Sequence, residues 1–435
     1  MKKTFYLRTF GCQMNFHDSE HIAGVLHSVG FTPVSDQESA HIIIYNTCAV
    51  RKSAEDKLWG NLGRLGSEKK NGQVIAVCGC VAEMYGQEII SRFPAVDLVF
   101  GIASLPRLPE LLSLCMDRTV CEVGGRWKPE IESMPSLRVS VAKAWVPVSH
   151  GCNKGCAYCV VPLVRGREVS RPMEDILDEV ERLSREGVLE IVLLGQNVNS
   201  YGSDIGGDAS FSNLLRRVGS LDGIRRVRFE TSHPADLTDD IIDAIRDVPE
   251  VCEHLHLPVQ SGSDAVLARM GRGYTVREYE EIVTIARGKV PGLSITTDII
   301  VGFPGEEESD FQKTVEFVKK IGFDQAFIFK YSQRKGTPAE KFSRQVSEDE
   351  KTRRILILNK IQREATANAM KKLVGKSVEV LIEGKAKRGD FLAGRARGNQ
   401  IVLLPPHGLR EGMLVMAKIT EAGIHSLKGR VEGII

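Results

Sequence analysis

The chain has 435 residues, 42% hydrophobic and 26% charged, with a formal net charge of +2. This is the make-up of an ordinary soluble globular chain with room for about three domains, and it excludes a disordered, collagenous or bilayer-spanning polymer. The start, Met1-Lys2-Lys3-Thr4-Phe5-Tyr6-Leu7-Arg8, lacks the long apolar stretch of a secretion signal, so a cytoplasmic location is expected, where the ten cysteines stay reduced.

Residues 1–120 alternate strand and helix. Strands are expected at 4–9, 41–45 and 73–77. Helices are expected at 18–29, opened by Asp18 as cap and closed by Gly30, and at 53–70 and 83–92. Alternation of this kind predicts a parallel sheet. Cys12, Cys48 and Cys80 each fall just after one of these strands. In a parallel sheet those strand ends share one edge, where such folds place their ligands. The three thiols would converge there as a cluster site, although each alone reads as a small buried hydrophobe. Cys78 is close enough to compete with Cys80, but the Gly79-Cys80 step repeats Gly11-Cys12 and favours Cys80. Cys115, Cys121 and Cys252 fit no pattern and read as packing residues. Residues 121–144, with Gly124-Gly125, Pro129 and Pro135, show no clear period and lead into the second domain.

From residue 145 to about 370 the alternation resumes. Strands are expected at 145–149, 190–194, 226–231, 254–257, 294–300 and 325–330, with helices such as 172–186, 239–246, 276–287 and 308–321 between them. Six such units suit an open, partial barrel, with its chemistry at the C-terminal ends of the strands. Just past the first strand comes His150-Gly151-Cys152-Asn153-Lys154-Gly155-Cys156-Ala157-Tyr158-Cys159, a C-x3-C-x2-C loop. Cys152, Cys156 and Cys159 can each hold one iron of a 4Fe-4S cluster. No fourth ligand follows at similar spacing, so one iron keeps open positions, as a catalytic metal must. A structural zinc loop is the other reading, but no second C-x2-C pair follows.

Other strand-end runs should face the same cavity. These contain Gly195, Gln196 and Asn197, then Ser232, Gln260 and Asp298, in glycine- and amide-rich stretches suited to a polar ligand. Arg165, Arg167 and Arg171 could hold a carboxylate or phosphate, or form a solvated face. His233 reads as a turn histidine before proline, with proton transfer as the alternative.

A long helix is expected at 348–372, with Ile355, Leu358, Ile361 and Ala365 facing the core. Short alternating segments at 377–383, 391–397, 400–404 and 413–420 then predict a small antiparallel β-barrel. From Lys371 onward there are twelve Lys or Arg against six Asp or Glu, so this tail carries +6 and the rest of the chain −4. Lys385, Lys387, Arg388, Arg395 and Arg397 would form a basic face for a nucleic acid, RNA first.

Taken together, these residues resemble the radical S-adenosylmethionine methylthiotransferases. The signature is the C-x3-C-x2-C loop, joined to three N-terminal cysteines and a TRAM-like barrel, and the resemblance covers essentially the whole chain. Its most telling runs are Asn46-Thr47-Cys48-Ala49-Val50-Arg51, Thr231-Ser232-His233-Pro234 and His256-Leu257-Pro258-Val259-Gln260-Ser261-Gly262-Ser263. A further run, Leu194-Gly195-Gln196-Asn197-Val198-Asn199-Ser200-Tyr201-Gly202, is similar to the branch acting on isopentenyl-adenosine in tRNA. Departures are Glu307, where a Thr usually follows Pro-Gly-Glu, and the extra thiol of Cys78.

The resemblance implies an α/β fold in four stretches: a cluster-bearing domain at 1–120, a linker at 121–137, a partial (β/α)6 barrel at 138–370 and a TRAM barrel at 371–435. It implies two 4Fe-4S clusters. Cys12, Cys48 and Cys80 would hold the one that carries the inserted sulfur. Cys152, Cys156 and Cys159 would hold the one that binds S-adenosylmethionine, with Gly195, Gln196, Asn197, Ser232, Gln260 and Asp298 around the cofactor. It also implies tRNA as partner, a flavodoxin or ferredoxin as reductant, no membrane and a monomer. Relatives acting on threonylcarbamoyl-adenosine or on a ribosomal-protein aspartate remain alternatives, as does a non-enzymatic iron–sulfur RNA-binding or electron-carrier protein.

Overall fold

The computed structural model describes residues 3–435. Strands β1 (Thr4–Phe10), β2 (Thr32–Pro33), β3 (Ile42–Thr47), β4 (Val74–Cys78), β5 (Leu98–Phe100) and β6 (Val120–Glu122) form one parallel sheet in the order β2-β1-β3-β4-β5-β6. Helix α1 (Gln13–Ser28) lies on one face and α2 (Lys52–Glu68) on the other. Strand β3 shows why this stretch is a central strand. Ile42 and Ile44 enter the α1-side core, and Ile43 and Tyr45 enter the α2-side core. A parallel strand covered on both faces reads as a continuous apolar run.

Three local expectations are corrected. Helix α1 starts five residues before Asp18, with Cys12 at the N-cap position. Asp18 is buried inside the helix, where its carboxylate is 2.6 Å from Arg165 Nη2. A residue type that favours caps is here an ion-pair partner, and only the tertiary contact tells the two apart. The helix expected at 83–92 is two, Cys80–Tyr85 and Gln87–Arg92, broken at Gly86 with φ of 45°. Strands β5 and β6, three residues each, are too short to show a period. The stretch 121–137 is packed: it completes β6, and Trp127 and Ile131 sit in the first core.

The second unit carries strands β7 (Lys143–Pro147), β8 (Ser149–His150), β9 (Val169–Ser170), β10 (Glu190–Leu194), β11 (Arg226–Phe229), β12 (His254–His256), β13 (Ser294–Val301) and β14 (Gln325–Lys330). Six of these form parallel triplets, β11-β10-β7 and β12-β13-β14, and β8 pairs with β9 as a small hairpin. A bridge from Val227 to Val251 links the triplets. The result is the open half-barrel expected from six strand–helix units. The helix Glu348–Lys371 packs against β14, with Leu358 fully buried.

The tail is a closed barrel of β15 (Ser377–Lys385), β16 (Leu392–Ala396), β17 (Ile401–Leu404), β18 (Leu414–Ala422) and β19 (Leu427–Ile434). Four of the five were legible. Strand β19 was missed because Gly429 and Gly433 interrupt its alternation and its last residues are exposed. Among the described residues no helix is long and apolar enough to cross a membrane.

Two arginines on β11 fasten this barrel to the core. Arg226, fully buried, donates to the Arg395 carbonyl at 2.9 Å. Arg228 donates to the carbonyls of Arg397 and Ala396, each at 2.7 Å. Both Nε atoms lie 3.0 Å from Glu190 Oε2. Burial raises the pKa of that carboxyl, but Arg228 and then Arg226 outweigh it and hold Glu190 below its ordinary value. Arg228→Ala should therefore cost about 3–5 kcal/mol, because it leaves buried carbonyls without donors and weakens the neutralisation of Glu190. Thermal unfolding and protease release of the 371–435 barrel measure this; an unchanged midpoint with an uncut barrel would contradict it.

Candidate functional site: two thiol trios on one cavity

All six candidate cysteines line one cavity of about 1650 Å³. It runs along the inside of the half-barrel strands, past their C-terminal ends to the strand-end edge of the first sheet, and is also lined by Glu383, Arg395 and Asn399 of the last barrel.

The first trio is built by glycines and asparagines. Gly11 has φ of 139°, and a Cβ there would come within 2.4 Å of Cys48 Cβ. Gly79 has φ of 83°, and a Cβ there would come within 2.3 Å of Asn46 Oδ1. Only glycine permits both the backbone turn and the close approach. Asn15 and Asn46, both buried, tie the loops together: Asn15 Nδ2 donates to Asn46 Oδ1 at 2.9 Å, and Asn46 Nδ2 to the Asn15 carbonyl at 2.8 Å. The Cys12 thiol pKa is lowered to about 6, first by the neighbouring Cys48, whose own thiol is raised. Arg165 Nε donates to Cys80 Sγ at 3.3 Å. Burial raises Cys80, and Arg165 opposes that rise. Cys80 lines the cavity. Cys78, on the other side of the strand end, is packed in the apolar core behind the sheet.

The second trio sits on the loop after β8. Gly151, φ of 84°, leaves no room for a Cβ, which would lie 2.2 Å from the Arg167 carbonyl. Its amide donates to Gln196 Oε1. Ala157 N donates to the Met270 carbonyl at 2.8 Å, and Cys159 N to the Cys156 carbonyl at 3.0 Å. Burial raises the Cys152 and Cys159 thiols, and the neighbouring Cys156 adds to both. Mutual repulsion of this kind favours a shared cation over three free thiolates.

Sequence reading missed Arg272. It is buried, lies 116 residues from Cys156, and donates to Cys156 Sγ at 3.2 Å and to the Pro258 carbonyl at 2.8 Å. Gly271 and Gly273, with φ of 70° and 71°, flank it. That Gly-Arg-Gly step marked a turn, but nothing local marked its partner. Asn15, Asn46 and the role of Arg165 were also missed for want of local signal. Of the other two arginines read as anion binders, Arg171 is committed to Glu179 at 2.7 Å and the Pro147 carbonyl at 2.8 Å, and Arg167 is exposed.

Gly195, Gln196, Asn197, Ser232, Gln260 and Asp298 all line the cavity. Asn197 Oδ1, Ser232 Oγ and Gln260 Oε1 are buried without a hydrogen-bond partner, at residues 2%, 3% and 7% exposed. Buried polar atoms without partners are rare, and a group of them in a cavity suits a polar ligand. Thr231 and Gln260 have φ of 69° and 74°, strain of the sort that collects at functional sites. His233 caps a turn, accepting from Ala235 N at 3.3 Å, and burial lowers it to about 3. With Nδ1 accepting that bond, its Nε2 is buried without a partner on the cavity.

The basic face divides. Lys385, Lys387 and Arg388 are exposed. Arg395 and Arg397 are not free, which corrects the expectation that all five face a polyanion. Arg395 Nε is 3.2 Å from Glu383 Oε2, and Arg397 Nη2 is 2.7 Å from Glu253 Oε1 on the core. Arg397 helps dock the barrel to the core, whereas the Arg395 side chain is held within the barrel by Glu383 and Asn399. Removing Lys385, Lys387 and Arg388 together should weaken RNA binding and flatten the slope of log K against log salt by roughly two to three. Titrations at several salt concentrations read this directly; an unchanged slope would move the contact elsewhere.

A half-barrel with a three-thiol loop past its first strand, opening on a cavity of unpartnered polar groups, defines a radical S-adenosylmethionine enzyme. Family models agree along the chain: Uncharacterized protein family UPF0004 over residues 4–101, Radical SAM superfamily over 146–318 and TRAM domain over 371–431. A tRNA-2-methylthio-N(6)-dimethylallyladenosine synthase from Carboxydothermus hydrogenoformans is 46% identical, over 98% of this chain and 99% of the relative. A protein of the same name from Acetivibrio thermocellus is 46% identical over 99% and 91%. The chain therefore belongs to the radical S-adenosylmethionine tRNA methylthiotransferases, in the tRNA-2-methylthio-N(6)-dimethylallyladenosine synthase family. Among solved structures, the radical S-adenosylmethionine methyltransferase TsrM from Kitasatospora setae, with cobalamin and a [4Fe-4S] cluster bound, is 14% identical. It superposes with a TM-score of 0.56 over 78% of this chain and 74% of that one, a likeness of fold alone.

Proposed function

We propose that this enzyme methylthiolates the adenine ring of isopentenyl-adenosine beside the anticodon in tRNA, inserting sulfur into an unactivated C–H bond and methylating it. The observation that carries the reading is the pair of cysteine trios on one cavity, lined by polar atoms without partners. Cys152, Cys156 and Cys159 would hold the 4Fe-4S cluster that takes S-adenosylmethionine. Cys12, Cys48 and Cys80 would hold a second cluster that supplies sulfur. Bound there, these groups supply one-electron chemistry, which a C–H bond without an acidic proton requires.

The chain's own residues hold and orient. Arg272 donates a hydrogen bond to Cys156 Sγ, and Arg165 keeps a positive charge against Cys80, opposing the effect of burial there. Asn197, Ser232 and Gln260 offer hydrogen bonds to a polar cofactor, together with Gly195, Gln196 and Asp298. Lys385, Lys387 and Arg388 would draw the tRNA by its phosphates. A flavodoxin or ferredoxin would deliver electrons, and the protein would act as a cytoplasmic monomer with domains at 1–120, 138–370 and 371–435.

Mass analysis of tRNA nucleosides from cells lacking this chain tests the reading. The methylthio form of isopentenyl-adenosine should vanish while isopentenyl-adenosine accumulates, and the wild-type chain should restore it. If instead threonylcarbamoyl-adenosine loses its methylthio form, the substrate assignment is wrong.

A further inference from the structure

Outside the cavity, the described residues hold one compact set of metal-ligating side chains, on α1 and the turn Pro129–Ser133. His17 and His21 are four residues apart, so both rings leave the same face of α1, one turn from each other. Glu132 comes from the turn. All three are buried, at 4%, 4% and 8% exposure. Glu132 Oε2 lies 3.1 Å from His17 Nε2 and 3.7 Å from His21 Nε2, and the three ligand atoms are within 4.8 Å of one another.

We propose that His17, His21 and Glu132 form a structural zinc site that staples α1 to the 129–133 turn. Zinc takes imidazole nitrogen and carboxylate oxygen at about 2.0–2.2 Å, which puts tetrahedral ligand atoms about 3.3 Å apart. The two separations from Glu132 Oε2, 3.1 and 3.7 Å, bracket that value, and all three ligand atoms lie within 4.8 Å of one another. Two imidazoles and one carboxylate are a zinc-type donor set, with water completing the fourth position.

A plain ion pair between His17 and Glu132 accounts for less. It gives the second imidazole no role, though its Nε2 is turned to the same oxygen. Glu132 Oε2 has no donor in hydrogen-bond geometry despite both neighbours, and Nδ1 of each ring is also without a partner. The other carboxylates nearby are already matched: Asp18 by Arg165 at 2.6 Å and Glu179 by Arg171 at 2.7 Å. Glu132 is the carboxylate left to meet the two rings.

The site would have a mechanical consequence. Cys12 is the N-cap of α1, so the site would add rigidity to the helix that follows one thiol of the first trio, without being needed for that trio to hold iron. The site is distinct from both trios: its three residues do not line the cavity and it contains no sulfur.

The test uses the full-length protein, produced with zinc in the medium, with its iron–sulfur clusters reconstituted without oxygen, then dialysed against a weak chelator. Zinc and iron are counted per chain, and the zinc absorption edge is recorded. We expect about one zinc per chain with nitrogen and oxygen neighbours near 2.0 Å and no sulfur near 2.3 Å. In both His21→Leu and Glu132→Gln, zinc should fall below about a tenth per chain while iron is unchanged. Glu132→Gln keeps the side-chain volume, so it serves if His21→Leu fails to fold. Wild-type protein holding less than about a tenth of a zinc per chain would overturn the proposal without reference to any variant. Zinc with sulfur neighbours, retained in both variants, would also overturn it, because that metal would be sitting on the cysteines.

Discussion

Cys156→Ala should lower reductive cleavage of S-adenosylmethionine by well over about 100-fold, since loss of an outer partner of a metal ligand already costs 10–100-fold. Deoxyadenosine released by the reconstituted enzyme measures it. Cys156 cannot be replaced by a neighbour: Cys152 and Cys159 occupy their own positions on the loop, and among the described residues the remaining cavity thiols belong to the other trio. Arg272 supplies a graded companion. Its guanidinium donates to Cys156 Sγ at 3.2 Å and is the charge nearest that sulfur among the described contacts. Arg272→Gln should retain iron, cut cleavage by about 10–100-fold and move the cluster potential to a more negative value, because a positive hydrogen-bond donor beside the sulfur favours the reduced state. A redox titration followed by electron paramagnetic resonance reads the potential. An unchanged or more positive potential would remove Arg272 from the site and leave it a packing residue.

The second large effect separates the two trios. Cys48→Ala should leave cleavage of S-adenosylmethionine near the wild-type rate and stop methylthio formation, so that tRNA retains isopentenyl-adenosine. Cys48 accepts from Val50 N at 3.3 Å and lines the cavity with Cys12 and Cys80, so losing it dismantles the first trio while the 152–159 loop keeps all its own contacts. Product at more than a few per cent of wild type would show that the first trio is not the source of sulfur. The same assay settles the third ligand. Cys80→Ala should behave like Cys48→Ala, whereas Cys78→Ala should keep both iron and product and lose only stability, about 1 kcal/mol for a small group removed from an apolar core.

Much of the molecule was legible along the chain because the signals were local. The buried run Ile42-Ile43-Ile44-Tyr45 makes a central parallel strand, and the C-x3-C-x2-C loop carries three cysteines within eight residues. The regular return of a cysteine after β1, β3 and β4 marks a sheet edge. Each depends on spacing, and spacing is preserved when a strand or helix forms. The sequence alone therefore determined the three-part architecture and singled out the six cysteines that line one cavity.

What only the tertiary structure decided were the partners of charged and amide side chains. Asp18 looked like a helix cap and is the counter-ion of Arg165. Arg395 and Arg397 looked like a nucleic-acid face, but Arg397 ties the last barrel to the core and Arg395 pairs with Glu383 inside that barrel. Arg272 gave no sign of its contact with a thiol 116 residues away. The physical reason is common to all of them. An apolar residue needs only to be covered, which periodicity can reveal, whereas a buried charge must meet a particular opposite group. Where that group lies is set by how separate elements pack, and no local pattern records it.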